Sequence, residues 1–110
     1  TNSVVENNGR YGIFALNRYY YSTIVLDSEL NHNGTAAMRA ESSTMWATGN
    51  HITNHPVVFE QDTVRRSHPF ITYANNIEQF DAAFALNGSR YAYLSHNWWT
   101  GGATAGLLAT

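Results

Sequence analysis

The segment Thr48-Gly49-Asn50-His51-Ile52-Thr53-Asn54 indicates a repeat fold, because its pattern recurs along the chain at matched spacings. An apolar column runs through Val5, Leu30, Ile52, Ile77 and Trp99, and its successive steps are 25, 22, 25 and 22. Six places earlier a second apolar column runs through Ile24, Trp46, Ile71 and Tyr93, and its steps are 22, 25 and 22. Matched steps of this kind are typical of a repeat architecture.

A small polar residue stands two places before each member of the first column. These residues are Ser3, Ser28, Asn50, Asn75 and Asn97. Asn tolerates the left-handed conformation of tight turns, and its amide can bond along a stack of identical turns. The pattern therefore predicts a turn of fixed length that carries a structural ladder, most clearly over Ser28, Asn50, Asn75 and Asn97.

A third apolar column has looser spacing and runs through Ile13, Met38, Val57 or Val58, Phe84 and Leu107. The three columns predict three short strands in each repeat unit. Each strand should pair in parallel with its copy in the next unit, about 4.8 Å away. We expect apolar columns to point inward, with Trp46 and Trp99 in the core and Trp98 outside. Leu26 and Tyr73 also fall in an inward column, in which Thr48 and Ser95 are polar exceptions. An antiparallel sandwich explains short strands but not the matched steps.

The quoted stretch, together with Asn8-Gly9-Arg10-Tyr11-Gly12-Ile13 and Leu30-Asn31-His32-Asn33-Gly34, resembles the repeats of the pectate-lyase-like superfamily. That resemblance implies an all-β, right-handed, single-stranded parallel β-helix with four to five rungs, each about 22–25 residues long. Residues 1–110 would form one segment of a larger β-helix protein. By analogy, the first sheet starts at Gly12, Ala36, Val57, Ala82 and Ala105, and a saccharide groove runs along it. The paired Asp signature of polygalacturonases and the Asp-Pro-His-Asp signature of alginate epimerases are absent.

Composition excludes several classes of function. Charged residues make up 13% of the chain and the formal net charge is −2, so bulk electrostatics does not favour nucleic acid. The absence of Cys excludes disulfides and thiolate metal sites within these residues. No apolar run approaches the length that spans a membrane. We therefore expect neither a nucleic acid nor a membrane as partner.

The candidate site lies on the first sheet. Because Met38 and Ala40 should point inward, Arg39 and Glu41 should project to solvent, with Glu60 and Asp62 beside them one rung on. Arg can clamp a uronate carboxylate, while Glu, Asp or His can move protons. The predicted catalytic residues are Arg39, Glu60, Arg65 and His68; the predicted substrate-binding residues are Tyr19, Tyr20, Tyr21, Glu41, Asp62 and Arg66. The alternatives are that Arg39 and Glu60 form a solvated ion pair and that the tyrosines cover the core.

Metal binding has little support in the sequence. The five His residues have no tight spacing and no Cys partner, which makes polar turn residues the default interpretation. No cofactor is predicted. Calcium at Glu60, Asp62 and Asp81 is the one option left open, although no loop signature accompanies these residues.

Two functional hypotheses follow. The first is a segment of an extracellular polysaccharide lyase or epimerase that acts on acidic glycans. The second is a non-catalytic glycan-binding or structural β-helix, such as a tailspike, adhesin or filament subunit. In either case we expect an acidic polysaccharide as ligand. Since neither end of the sequence reads as a cap, we also expect contact with further rungs or end-to-end self-association.

Overall fold

A computed structural model describes residues 2–16, 22–62, 70–87, 92–93, 96–100 and 107–109. The described residues form strands and turns only, and none of them forms a helix that is long and apolar enough to cross a membrane. The strands are β1 (Val4–Glu6), β2 (Tyr11–Leu16), β3 (Ser22–Leu26), β4 (Glu29–Asn31), β5 (Ala36–Glu41), β6 (Thr44–Thr48), β7 (His51–Asp62), β8 (Phe70–Tyr73), β9 (Asn76–Asn87), β10 (Ala92–Tyr93), β11 (Trp98–Thr100) and β12 (Leu107–Ala109).

Every strand pair among the described residues is parallel, and each pair joins a strand to its counterpart in the next repeat. The larger sheet has eight strands and contains the path β1-β4-β7-β5-β2, with β9 on β7 and both β11 and β12 on β9. The smaller sheet has four strands in the order β10-β8-β6-β3 and corresponds to the predicted second sheet. The prediction of an all-β chain with parallel sheets is confirmed.

The first apolar column is in register throughout. Val5 lies opposite Leu30, which lies opposite Ile52, and the column continues through Ile77 to Trp99. Leu30, Ile52 and Ile77 are fully buried, and Trp99 packs against the core at its edge. The alternating steps of the sequence therefore correspond to strand pairing, and they place like residues above like residues.

The first-sheet column differs from the prediction at one member. Met38 lies opposite Phe59, not Val57 or Val58, and Phe59 lies opposite Phe84. The rings of Phe59 and Phe84 stand 5.1 Å apart in the centre of the core. The predicted starting position of the first strand is also wrong by one residue, since Tyr11 rather than Gly12 lies opposite Ala36.

The predicted first and third sheets are one continuous sheet in the described structure. β7 and β9 each run for 12 residues through the corner that separates these two regions in β1–β2 and β4–β5. Asn54 and Gln79 occupy that corner with left-handed φ values of 59° and 54°, and the register of β7 on β9 omits them. The two strands thus turn the corner without losing their pairing on either side.

The predicted orientation of the second sheet is wrong. Ile24 and Trp46, assigned to the core from the sequence, are 59% and 44% exposed. The buried positions on β3 and β6 are their neighbours Val25, Met45 and Ala47. The side chains of this sheet are therefore one residue out of phase with the prediction, which moves a whole column from the core to the surface.

A left-handed residue at one corner explains the error. It recurs immediately before each ladder residue, with φ between 47° and 70°, at Asn2, Asp27, Gly49, Ala74 and His96. Alternation of side chains continues only along extended backbone, so a left-handed residue resets which face comes next. The outward phase also accounts for Thr48, the polar exception in a column that the sequence predicts to point inward. A second corner repeats the same device at Asn7, His32, Asn54 and Gln79.

Candidate functional site

The Asn ladder fixes the repeats to one another along one edge of the molecule. The side-chain oxygen of Asn75 accepts from the backbone N–H of Asn50 at 2.9 Å and from its side-chain amide at 3.0 Å. Asn75 in turn donates to Asn97 through the same two groups, at 3.0 and 2.9 Å. Ser28 joins the ladder by donating its backbone N–H to Asn50 Oδ1 at 2.9 Å. Asn50 and Asn75 are buried, so the ladder satisfies polar groups that water cannot reach.

A second ladder, which the sequence analysis missed, stands at the other corner and consists of Asn8, Asn33 and His55. Asn33 Oδ1 accepts from the backbone N–H of Asn8 at 3.2 Å and from its side-chain amide at 2.9 Å. Those two bonds orient the Asn33 amide so that its NH2 group faces His55 Nε2 at 2.9 Å. His55 Nε2 must therefore accept, which makes the imidazole neutral with its proton on Nδ1.

His55 is built into the core as a neutral side chain. It is buried, and its Nδ1 has no hydrogen-bond partner among the described residues. Burial, with a smaller contribution from nearby His32, lowers the pKa of His55 from 6.5 to about 4. The signal for this ladder was present in the sequence, because Asn8-Gly9 recurs as Asn33-Gly34 at the longer of the two repeat steps and His55 follows Asn33 at the shorter one.

Four predicted site residues come together on the outward face of the first sheet. Their register places Arg39 opposite Glu60 and Glu41 opposite Asp62. Arg39 Nη1 lies 2.6 Å from Glu60 Oε1, while Arg39 Nη2 lies 3.3 Å from Glu41 Oε2 and 3.6 Å from Asp62 Oδ2. We call these four residues the Arg39 cluster.

Two aromatic rings border the Arg39 cluster and were missed in the sequence analysis. Phe14 lies opposite Arg39 in the register, and its ring is 5.3 Å from that of Tyr11. The Arg39 guanidinium carbon is 5.7 Å from the Tyr11 centroid and 5.8 Å from the Phe14 centroid, within cation–π range. Phe14 is 44% exposed, so it offers a free apolar surface beside the charges. The repeat step that separates Phe14 from Arg39 could have revealed this neighbour.

The remaining predicted site residues lie outside the described residues. These are Tyr19, Tyr20, Tyr21, Arg65, Arg66 and His68. The same holds for Ser95 and Ala105. Their participation in the site stays a prediction.

The arrangement has clear chemical consequences. Both terminal nitrogens of Arg39 already contact protein carboxylates, so little of the guanidinium is left to clamp a carboxylate of a ligand. Glu60 Oε2 is buried and has no hydrogen-bond partner among the described residues. The partly exposed carboxylates of Glu41 and Asp62 can accept hydrogen bonds from hydroxyl groups, and the Phe14 ring can stack on an apolar face.

The residues considered for calcium binding, Glu60, Asp62 and Asp81, do not form one site in the structure. Asp62 lies opposite Asn87, and Asp81 precedes Asn87 by six residues on β9, about 20 Å along the strand. Within the described ranges, no group of three or more acidic or His side chains is placed to hold a metal ion.

Comparison with known proteins adds no family. No protein-family model, curated protein or solved structure matches this chain. Inference about function therefore depends on the residues and their geometry.

Proposed function

We propose that this chain is a glycan-binding segment of an extracellular, right-handed, single-stranded parallel β-helix protein. The β-helix is supported by the unbroken registers that link successive repeats, and by the left-handed residue at the same two corners of those repeats. Each repeat buries its apolar side chains against its neighbours, as stacked coils require.

The observation that carries the binding function is the Arg39 cluster with Tyr11 and Phe14 beside it. A sugar ring presents hydroxyl donors at its edge and an apolar C–H surface on its face. Glu41 and Asp62 supply acceptors for the hydroxyls, and the half-exposed Phe14 supplies a stacking surface. Arg39 fixes the carboxylates in place, so few side chains need to be ordered when the ligand arrives.

The charge of this face supports a neutral, hydroxyl-rich glycan. Glu41, Glu60 and Asp62 outnumber the two guanidinium groups of Arg10 and Arg39. An acidic glycan would meet net repulsion from these residues. It would need the positive charge of Arg65 and Arg66 to reverse that balance.

A lyase or epimerase reaction on an acidic glycan is the second candidate. The observation in its favour is Glu60 Oε2, a buried carboxylate oxygen without a hydrogen-bond partner in the described part of the chain. Because this oxygen is buried, it can take a proton from a substrate carbon only after the Glu60 side chain moves to the surface.

Affinity electrophoresis of the full chain tests the binding proposal. Native gels would contain neutral hydroxyethylcellulose or acidic polygalacturonate, and the variant Phe14→Ala would be compared with Val4→Ala, an equally simple truncation at an exposed apolar residue on another face. We expect Phe14→Ala to weaken retardation by hydroxyethylcellulose about fivefold, and Val4→Ala to leave it unchanged. Equal retardation of both variants would contradict the proposed site.

The enzymatic alternative has its own readout. Incubation with polygalacturonate or alginate would produce new ultraviolet absorbance from an unsaturated uronate if the chain were a lyase. The second candidate replaces the first if that absorbance appears and Glu60→Gln abolishes it. The binding proposal predicts no such absorbance.

A further inference from the structure

The outward side of the second sheet forms a surface separate from the Arg39 cluster, and the two differ in chemical composition. We call it the second-sheet face. Its described members come from β3, β6 and β8 and are Ser22, Ile24, Leu26, Thr44, Trp46, Thr48, Ile71 and Tyr73. The register aligns Ile24, Trp46 and Ile71 across three strands, and aligns Leu26, Thr48 and Tyr73 beside them.

Large side chains are exposed on this face. Ile24, Trp46 and Tyr73 are 59%, 44% and 47% exposed. Exposed apolar residues that stand singly need no explanation, but a contiguous set across adjacent strands marks a binding surface. The second-sheet face is such a set, because Ile24 lies opposite Trp46 and Tyr73 lies opposite Thr48, diagonally beside Trp46 on the next strand.

The strands beneath the face contain no Asp, Glu, Lys, Arg or His. β3 reads STIVL, β6 reads TMWAT and β8 reads FITY. Charge is absent from them even though the outward positions of β5 and β7 carry the whole Arg39 cluster. A charged ligand would have no partner on these strands, so the face favours an electrically neutral ligand.

Hydroxyl groups alternate with the apolar side chains. Trp46 Nε1 donates to Thr48 Oγ1 at 3.1 Å, which fixes the indole along its own strand. The Tyr73 ring is held against the His96 ring at 5.1 Å. Two aromatic side chains are thus held in place on adjacent strands, with Ser22, Thr44 and Thr48 hydroxyls around them. Stacking surfaces interleaved with hydroxyls match the alternating C–H faces and hydroxyl edges of a saccharide chain.

The size of the face argues against a second copy of the chain. The described members of the face lie on three of the four strands of this sheet and span roughly 14 Å by 17 Å, or about 240 Å² in projection. A stable protein–protein interface buries about 800 Å² on each partner. A long, narrow ligand that crosses the strands needs far less area.

We propose that the second-sheet face binds a neutral glycan that crosses the strands and stacks on Trp46 and Tyr73. This site is distinct from the Arg39 cluster, and its existence does not depend on whether that cluster binds a ligand. Binding through stacking and neutral hydrogen bonds is insensitive to ionic strength.

The test is affinity electrophoresis of the full chain in hydroxyethylcellulose gels, at low and high salt, with Trp46→Ala and the matched control Trp98→Ala. Trp98 is a suitable control because it is 73% exposed and lies on another face. We expect Trp46→Ala to weaken retardation about tenfold at both salt concentrations, Trp46→Phe to retain most of it, and Trp98→Ala to change nothing. Circular dichroism checks that each variant is folded.

Comparison of Trp46→Ala with Phe14→Ala distinguishes binding at the second-sheet face from binding at the Arg39 cluster. Loss of binding in Trp46→Ala but not in Phe14→Ala supports the second-sheet site and contradicts the proposed function. The reverse result overturns the second-sheet site and supports the first. Equal loss in Trp46→Ala and Trp98→Ala would also overturn it. So would light scattering that shows a wild-type dimer which Trp46→Ala dissociates, since the face would then be a protein interface.

Discussion

Single amide side chains hold successive repeats in register. Asn75 is fully buried, and its side chain bonds to Asn50, to Asn97 and to the backbone carbonyl of Ala47 at 3.0 Å. The spacing of the Asn residues predicted this ladder from the sequence, because each one sits at a fixed distance from a core position. The ladder of Asn8, Asn33 and His55 was harder to find because its third member is a different residue type.

Removing one ladder amide should destabilise the fold far more than changing its exposed neighbour. Asn75→Leu leaves the buried N–H of Asn50 without its partner and removes one hydrogen bond from the carbonyl of Ala47. A buried group left unsatisfied costs about 1–3 kcal/mol. We expect the free energy of unfolding to fall by about 2–4 kcal/mol in urea titrations. Asn76→Leu, the same substitution at the adjacent exposed position, should change it by less than about 0.5 kcal/mol. Similar losses in the two variants would contradict the ladder.

His55 should make stability depend on pH. Its folded-state pKa of about 4 lies below the ordinary 6.5, so the unfolded chain binds more protons between these values. Stability is therefore lost as pH falls through that interval, by about 1.4 kcal/mol for each pH unit. His55→Asn would continue the Asn8–Asn33 ladder with a group that does not titrate, and should flatten this dependence. An unchanged slope in urea titrations of His55→Asn from pH 6.5 to pH 4 would exclude His55 as its source.

The residues of the candidate site were predictable in part. Arg39 and Glu60 follow from counting alternate positions outward from Met38, and the structure places them in contact. The predicted site did not include Tyr11 and Phe14, because the prediction considered charged residues on the first sheet and not the aromatic residues one repeat earlier. The contributions of Arg65, Arg66 and His68 depend on a segment between β7 and β8 that no repeat spacing constrains.

Among the strands, those of the second sheet have side-chain orientations that the sequence pattern predicts wrongly. The sequence places Ile24 and Trp46 in the core because they belong to an apolar column whose steps match those of the first column. The structure instead buries the small residue Ala47 together with Val25 and Met45. The left-handed corner residues Asp27 and Gly49 separate the phase of this sheet from that of the next.

The phase of the second sheet can be tested by placing a charge on each side of β6. Ala47 is fully buried, so Ala47→Asp should prevent folding because an unpaired charge cannot be accommodated in the core. Thr48→Asp should be tolerated, since position 48 faces outward and the new carboxylate can still accept from Trp46 Nε1. Circular dichroism and thermal unfolding distinguish the two variants. A folded Ala47→Asp with an unfolded Thr48→Asp would restore the phase predicted from the sequence.

At the scale of the whole molecule, the repeat spacing predicted more than any single motif did. Parallel pairing and the column from Val5 to Trp99 follow from the alternating repeat steps alone. The merging of the first and third regions into one sheet could not be predicted. It depends on whether β7 and β9 keep their pairing on both sides of a left-handed residue, which propensity does not reveal.

Parallel stacking of successive repeats can be observed in a three-dimensional nuclear Overhauser spectrum of the isotope-labelled chain. We expect contacts of Ile52 backbone protons with both Leu30 and Ile77, one repeat away on either side. We also expect contacts between Trp46 and both Ile24 and Ile71. Strong contacts between the α-protons of strands that are consecutive in sequence, such as β5 and β6, would show antiparallel hairpins and contradict the stacked architecture.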